Sequence, residues 1–358
     1  MKKPPLILFI LIIAFTHLHA QTTSSVYRER VDIISNNIYA YFYDSANALY
    51  YETDHVRPNE KKHSYLWPLC ALIQAADEAE IAIPSKEYMP PVLKAIGQYY
   101  SDIPPAPAYQ AYVTKEEKDD RFYDDNQWIA IACIDAYNRT KQQPYLDRAE
   151  MIYRFMMTGY DTISGGGLYW KEGDKTTKNT CSNGPGILVA LQLYKITNNK
   201  NYLDTAMVLY SWVNAHLRSP QGIYYDNIKL PSLKIDSAIY TYNTGTMLQS
   251  NVLLYAITRD KKYLTEAQRI AKAAEKFFYT NGKLPGNYWF NVVLLRGYIE
   301  LYKVDHNKQQ MHFFIDDADR IWNEEKDANN LLGRNNKRKS LIDQAAMMEI
   351  YARLSVLN

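Results

Sequence analysis

Residues 193–207, LYKITNNKNYLDTAM, close one apolar run, cross a short polar turn and open another, and the pattern recurs. Residues 136–150 read AYNRTKQQPYLDRAE, residues 254–268 read LYAITRDKKYLTEAQ, and residues 301–315 give a degraded copy, LYKVDHNKQQMHFFI. Tyr137, Tyr194, Tyr255 and Tyr302 recur at intervals of 57, 61 and 47 residues, so the repeated unit is a helical hairpin with a return loop of variable length. In the better copies the turn carries a threonine, then polar residues, then Tyr-Leu, a pair suited to packing back between the two helices.

Apolar recurrence at three and four residues predicts twelve helices, beginning near Val26, Ser64, Lys86, Asp124, Gln143, Thr180, Asn201, Thr241, Lys261, Asn287, Lys308 and Ser340. Pro84, Pro104, Pro105, Pro107, Gly165, Gly166, Gly167, Pro220, Pro231 and Gly282 separate them, and no convincing run of alternating strand residues intervenes. The even-numbered helices are apolar all round, as in GPGILVALQLY, whereas the odd-numbered ones carry a charged face, as in KKYLTEAQRIAKAAEKF. The reading is all-α: one (α/α)6 barrel over residues 21–358, with six inner helices ringed by six outer ones. An open helical solenoid is the alternative.

Residues 1–20 have the form of a signal peptide: Lys2 and Lys3, an apolar run from Pro5 to Phe15, and a passable cleavage site at Leu18-His19-Ala20. The apolar run is too short to span a bilayer comfortably, and no cysteine stands near the cleavage site for a lipid anchor. An exported protein, periplasmic or secreted, without a membrane anchor and monomeric, is therefore expected. The leader holds two of the 41 basic residues, which leaves 39 against 39 acids and no reason to expect nucleic acid or an anionic membrane as partner. Cys70, Cys133 and Cys181 read as buried small hydrophobes. The 32 tyrosines and six tryptophans offer flat faces on which sugar rings stack.

In such a barrel the amino ends of the inner helices gather at one mouth. Their first turns bring Tyr65 and Trp67; Asp124, Asp125 and Trp128; Lys178, Asn179, Ser182 and Asn183; Tyr242 and Asn243; Asn287, Tyr288 and Trp289; and Asp343 with Gln344. The glycine run before Leu168, Tyr169 and Trp170 is expected to let that segment approach the mouth. Helix capping explains one Asp, Asn, Ser or Thr per helix start. It does not explain a second acid beside the first in FYDDNQW, residues 122–128, nor the aromatics beside the caps.

Paired acids suit glycoside hydrolysis. Helix-end N–H groups favour an ionised carboxylate, and its charge helps a neighbour hold a proton. Retaining enzymes set the two carboxyls about 5–5.5 Å apart and inverting ones about 6.5–9.5 Å, and adjacent backbone positions make the shorter gap the natural one. One Asp would attack and the other transfer a proton. The seven histidines show no metal-ligand spacing, and no G-x-S-x-G, phosphate-loop or EF-hand pattern is present, so neither cofactor nor metal is expected. Lys337-Arg338-Lys339 reads as a solvated loop.

At these residues the sequence resembles glycoside hydrolase family 76, the bacterial α-1,6-mannanases. The blocks YLWPLCALIQAA, FYDDNQWIAIA, GGGLYWKEGDKTTKNTCSNGPGILVALQLY, YTYNTGTMLQSNVLLYAIT and LIDQAAMMEIYA stand in family order, and the Asp-Asp pair before Asn-x-Trp is the most specific element. The resemblance implies an (α/α)6 barrel and retaining, endo-acting hydrolysis of α-1,6-linked mannan without a metal, with Asp124 as nucleophile and Asp125 as general acid/base. Trp67, Trp128, Tyr169, Trp170, Lys178, Asn179, Asn183, Tyr242, Asn243, Trp289 and Asp343 would line sugar subsites. A transglycosylase, a hydrolase of other α-mannosides or of unsaturated uronides, and a non-catalytic glycan-binding protein are the alternatives on the same barrel.

Overall fold

The turn that recurs in the sequence is a left-handed helix stop. Lys141, Asn198, Arg259 and His306 each end an inner helix at φ between 55 and 62°, and each donates its backbone N–H to the carbonyl of the repeated tyrosine four residues earlier, at 2.8–2.9 Å. Thr140, Thr197 and Thr258 place their hydroxyl between the two helices: each donates to the carbonyl four residues back and accepts from the N–H two residues on. In the degraded copy Asp305 takes the accepting role, from Asn307 N–H at 3.0 Å.

The computed structural model describes residues 7–334 and 336–357, with side chains from Ser24 onward, so the leader read at residues 1–20 lies outside the residues whose side chains are described. Twelve α-helices follow in order: α1 (Ile7–Phe42), α2 (Leu66–Ala82), α3 (Met89–Ile96), α4 (Tyr123–Thr140), α5 (Gln143–Met157), α6 (Thr180–Thr197), α7 (Lys200–His216), α8 (Thr241–Thr258), α9 (Lys261–Phe278), α10 (Tyr288–Asp305), α11 (His312–Glu324) and α12 (Leu341–Ser355). The even-numbered helices pack α2 on α4, α4 on α6, α6 on α8, α8 on α10, α10 on α12 and α12 back on α2, which closes the ring and removes the solenoid alternative. Among the described residues, no helix is long and apolar enough to cross a membrane.

Burial follows the division between rings. In α4 every residue from Tyr123 to Ile134 is buried, whereas α9 buries only the stripe Tyr263, Ala267, Ile270, Ala271, Ala274 and Phe278. Close backbone approach tightens one joint of the inner ring: a Cβ on Gly245 of α8 would lie 2.6 Å from the Leu294 Cα of α10.

The returns to the inner helices carry strands that the sequence reading did not expect. Two short hairpins, β1 (Tyr43–Asp44) with β2 (Leu49–Tyr50) and β3 (Tyr100–Ser101) with β4 (Ala108–Tyr109), precede a four-stranded antiparallel sheet. This sheet runs β5 (Tyr169–Lys171), β6 (Asp174–Asn179), β7 (Tyr225–Lys229) and β8 (Lys234–Ile239). It joins the returns before α6 and α8 into one wall of the mouth. The 337–339 run is not simply solvated: Lys339 is buried, its Nζ donating to the Arg334 carbonyl at 2.9 Å, and Arg338 pairs with Glu60.

Candidate active site

The incoming loops are clamped to the inner helices by one recurrent device. Three residues into α4, α6 and α12, the amide side chains of Asn126, Asn183 and Gln344 each grip the backbone of a single loop residue. Asn126 accepts from Tyr109 N–H at 2.8 Å and donates to its carbonyl at 2.9 Å. Asn183 holds Leu168 in the same way at 2.7 and 3.0 Å, and Gln344 holds Leu332 at 2.9 and 2.7 Å. The segments that follow Tyr109 and Leu168 border a cavity of about 810 Å³ over the amino ends of the inner helices, and the loop that carries Leu332 does not line it.

Asp124 and Asp125 lie in its floor, in the first turn of α4, only 6 and 8% exposed. Neither holds the cap position, which Phe122 occupies. Trp170 Nε1–H donates to Asp124 Oδ2 at 3.2 Å, while Asp124 Oδ1 is buried with no hydrogen-bond partner. Burial raises the pKa of both acids. The rise at Asp124 is opposed by the Cys181 thiol, by the Trp170 indole and by the backbone N–H groups of the helix start. At Asp125 nothing opposes burial, and the charge of Asp124 adds to it. The pair thus consists of one carboxyl suited to ionisation and one suited to holding a proton.

Strand alternation decides which sheet residues reach the cavity. Tyr169 and Lys178 are register partners of β5 and β6 and face away from it. Lys178 Nζ is fully buried on Asp161 Oδ1 (2.7 Å) and the carbonyls of Ile163 and Gly166, and Tyr169 gives its hydroxyl to Asp161. These two side chains staple the glycine loop and do not line the cavity. Trp170, Thr177 and Asn179 occupy the opposite face and do line it. An irregularity in β7 between Tyr225 and Asn227 turns two consecutive residues, Asp226 and Asn227, toward the cavity.

Of the other sequence-derived candidates, Trp67 and Tyr242 line the cavity, and so does Tyr65. Trp128 and Trp289 lie beneath it: Trp289 meets Trp67 edge-on at 4.4 Å and Trp128 at 5.1 Å, so only Trp67 of the three reaches the open space. Asn183 is occupied by its clamp. Asn243 is buried and reaches Asp226 Oδ1 at 3.4 Å, a second-row position. Asp343 does not line the cavity, because the start of α12 lies under the loop that Gln344 holds. Ser182, Asn287 and Tyr288 are likewise absent from the lining, Asn287 serving as the cap of α10.

Sequence reasoning missed Asp226, Asn227, Thr177, Cys181, Phe122, Tyr240 and Phe290, which complete much of the wall. Tyr242 stacks on Phe290 at 4.0 Å, and Phe122 tilts against Trp170 at 4.9 Å, giving aromatic surface on two sides. Among the described residues, the Oδ1 atoms of Asn179 and Asn227, like that of Asp124, are buried without hydrogen-bond partners. Burial raises the Asp226 pKa, countered by donation from Asn227 and Asn243. Among the described residues, no three His, Cys, Asp or Glu side chains gather as a metal-binding group.

Known proteins share both the sequence and the architecture. A mannan endo-1,6-α-mannosidase of Saccharomyces cerevisiae is 29% identical over 172 residues, 44% of this chain and 38% of that protein. The fungal relatives are longer, and the chain spans 38 to 55% of their length. A family 76 mannosidase of Bacteroides thetaiotaomicron superposes with a TM-score of 0.82 at 26% identity, covering 92% of this chain and 98% of that one. An inactive variant of an α-1,6-mannanase of Salegentibacter, solved with α-1,6-mannotriose, shares the fold at a TM-score of 0.77 and 24% identity, covering 92% of this chain and 99% of that one. The sequence model of glycosyl hydrolase family 76 matches residues 50–294, more than half of the chain and the stretch that carries both aspartates, and the chain therefore belongs to that family.

Proposed function

We propose that the protein is a retaining, endo-acting hydrolase of α-1,6-mannosidic bonds in a yeast-type mannan backbone. The observation that carries the reading is the asymmetric pair at the start of α4: two adjacent, buried carboxyls, one hydrogen-bonded and one without a donor, on the floor of an aromatic-walled cavity. The names of the family 76 relatives supply the substrate class.

In this mechanism Asp124 attacks the anomeric carbon and forms an ester bond to it. The glycosidic C–O bond breaks, and its oxygen takes the proton of Asp125. Water then attacks the same carbon while Asp125 takes back a proton, and Asp124 leaves as a carboxylate. Two inversions give net retention. The aromatic pairs flanking the floor would hold the neighbouring sugar rings, and the unpartnered amide oxygens of Asn179 and Asn227 would accept from sugar hydroxyls. The leader read at residues 1–20 would deliver the enzyme to the periplasm or beyond.

The test is incubation of residues 21–358 with debranched yeast α-1,6-mannan, following products by size and anomeric form. Short mannooligosaccharides that appear first as the α-anomer are the expected result. Binding without release of reducing ends would replace this reading with that of a glycan-binding protein, and products that appear first as the β-anomer would exclude retention.

A further inference from the structure

Retention asks two chemically identical side chains, one residue apart, to hold opposite protonation states. The helix start itself favours Asp124, since backbone N–H groups and the Cys181 thiol act on its carboxyl and not on that of Asp125. A side-chain donor adds to that bias. Trp170 donates to Asp124 at 3.2 Å, and among the described residues no side chain donates to the carboxyl of Asp125.

The indole is held in place from both sides. Lys171 pairs with Phe122 across an antiparallel bridge, the Phe122 ring rests against the indole at 4.9 Å, and Glu172 N–H donates to the Arg121 carbonyl at 3.0 Å. Arg121, 2% exposed, then grips Glu172 through two parallel bonds of 2.7 and 2.6 Å. Residues 170–172 are thereby tied to residues 121–122, directly before the aspartates. This is more support than a mobile sugar platform needs, although the residue as a whole is 40% exposed.

We propose that Trp170 is a positioning residue that sorts the pair: its N–H holds Oδ2 of Asp124, makes Asp124 the carboxylate that attacks, and leaves the unpartnered Oδ1 as the attacking atom. The inference rests on the hydrolase reading above. A donor to the ionised form lowers the proton affinity of Asp124, and its removal raises it.

Trp170→Phe keeps a ring against Phe122 and deletes the N–H. With α-1,6-mannan, kcat should fall roughly 10- to 100-fold, the worth of a hydrogen bond to a charged group. KM should change little, and the acidic limb of the kcat/KM profile should move up by about one pH unit, since a tenfold change in proton affinity is one unit. A rise in KM with an unmoved limb would make Trp170 a sugar platform and overturn the proposal. A readout free of any substrate is the carbon-13 titration of the Asp124 carboxyl in an Asp125→Asn background. Its midpoint should rise by about one unit when Trp170→Phe is added, and an unmoved midpoint overturns the proposal. If the wild-type protein cleaves no mannan, the hydrolase reading fails on that result alone, and the titration still decides whether Trp170 governs Asp124.

Discussion

At the carboxyl ends of the inner helices, acids meet guanidinium groups: the buried Asp77 meets Arg139 at 2.6 Å, the partly exposed Asp135 meets Arg296 at 2.7 Å, and Arg353 joins the buried Glu349 at 2.7 Å to the partly exposed Glu78 at 2.9 Å. At the amino ends Asp124 and Asp125 are both buried and meet no guanidinium group. An unpaired buried carboxyl is a cost to folding unless it stays protonated or finds a ligand. The base therefore reads as frame, and the mouth as a place where stability is given up for chemistry.

The largest effect that tests this contrast is on turnover. Asp124→Asn and Asp125→Asn should each lower kcat/KM by about a thousandfold or more while the fold persists, as judged by circular dichroism and mannan cleavage. A fully active variant would break the assignment. The matching change at the base should do the reverse. Arg353→Met leaves Glu349, which is fully buried, with only the longer 3.9 Å pairing to Arg296, and should cost about 3 kcal/mol in urea unfolding, with activity per folded molecule retained. A cost under about 1 kcal/mol would mean that the base is no frame.

The contrast also predicts a pH dependence. The folded pKa of Asp125 is raised, so below its unfolded value near 4 the carboxyl is protonated in both states and carries no penalty. As pH rises past that value the unfolded chain ionises first, and wild-type stability falls relative to Asp125→Asn by up to about 1.4 kcal/mol per unit. Urea unfolding of both proteins from pH 4 to 7 should show this widening gap, and a constant difference would contradict it. The smallest effect concerns the joints at the base. Arg259 is exposed and sits at φ 62°, where glycine is unstrained, so Arg259→Gly should add about 0.5–1 kcal/mol without touching activity.

The ring was legible because its signals are local. The Tyr–Thr–polar turn and the all-round apolar helices state the hairpin and its inner member in a single window of sequence, and the doubled acid at residues 124–125 exceeds what a cap requires. The sheet was not legible. KTTKN and YDNIK are mostly polar and KIDSAI lacks clean alternation, since one face looks into the cavity and the other onto a half-exposed wall. Asp226 and Asn227 were missed for that reason, and Lys178 and Tyr169 were taken for lining because their direction depends on a register that only the folded sheet supplies. Asn183 shows a different blind spot: an amide at a helix start serves loop and ligand equally well until its partners are seen.

The left-handed joints at the base have a consequence for how such a barrel can diversify. Three of them leave two residues between an inner helix and the next outer one, at 141–142, 198–199 and 259–260, while the joint at His306 runs over residues 306–311 and keeps the same hydrogen bond back to its tyrosine. The returns at the other end, residues 158–179 and 217–240 among them, are bound by no such register. Closing a flexible loop twice as long costs only about 0.6 kcal/mol more in chain entropy. Length thus varies most cheaply at the mouth and least at the two-residue joints of the base, so descendants of this chain can remodel the walls of the cavity while inheriting the helical ring.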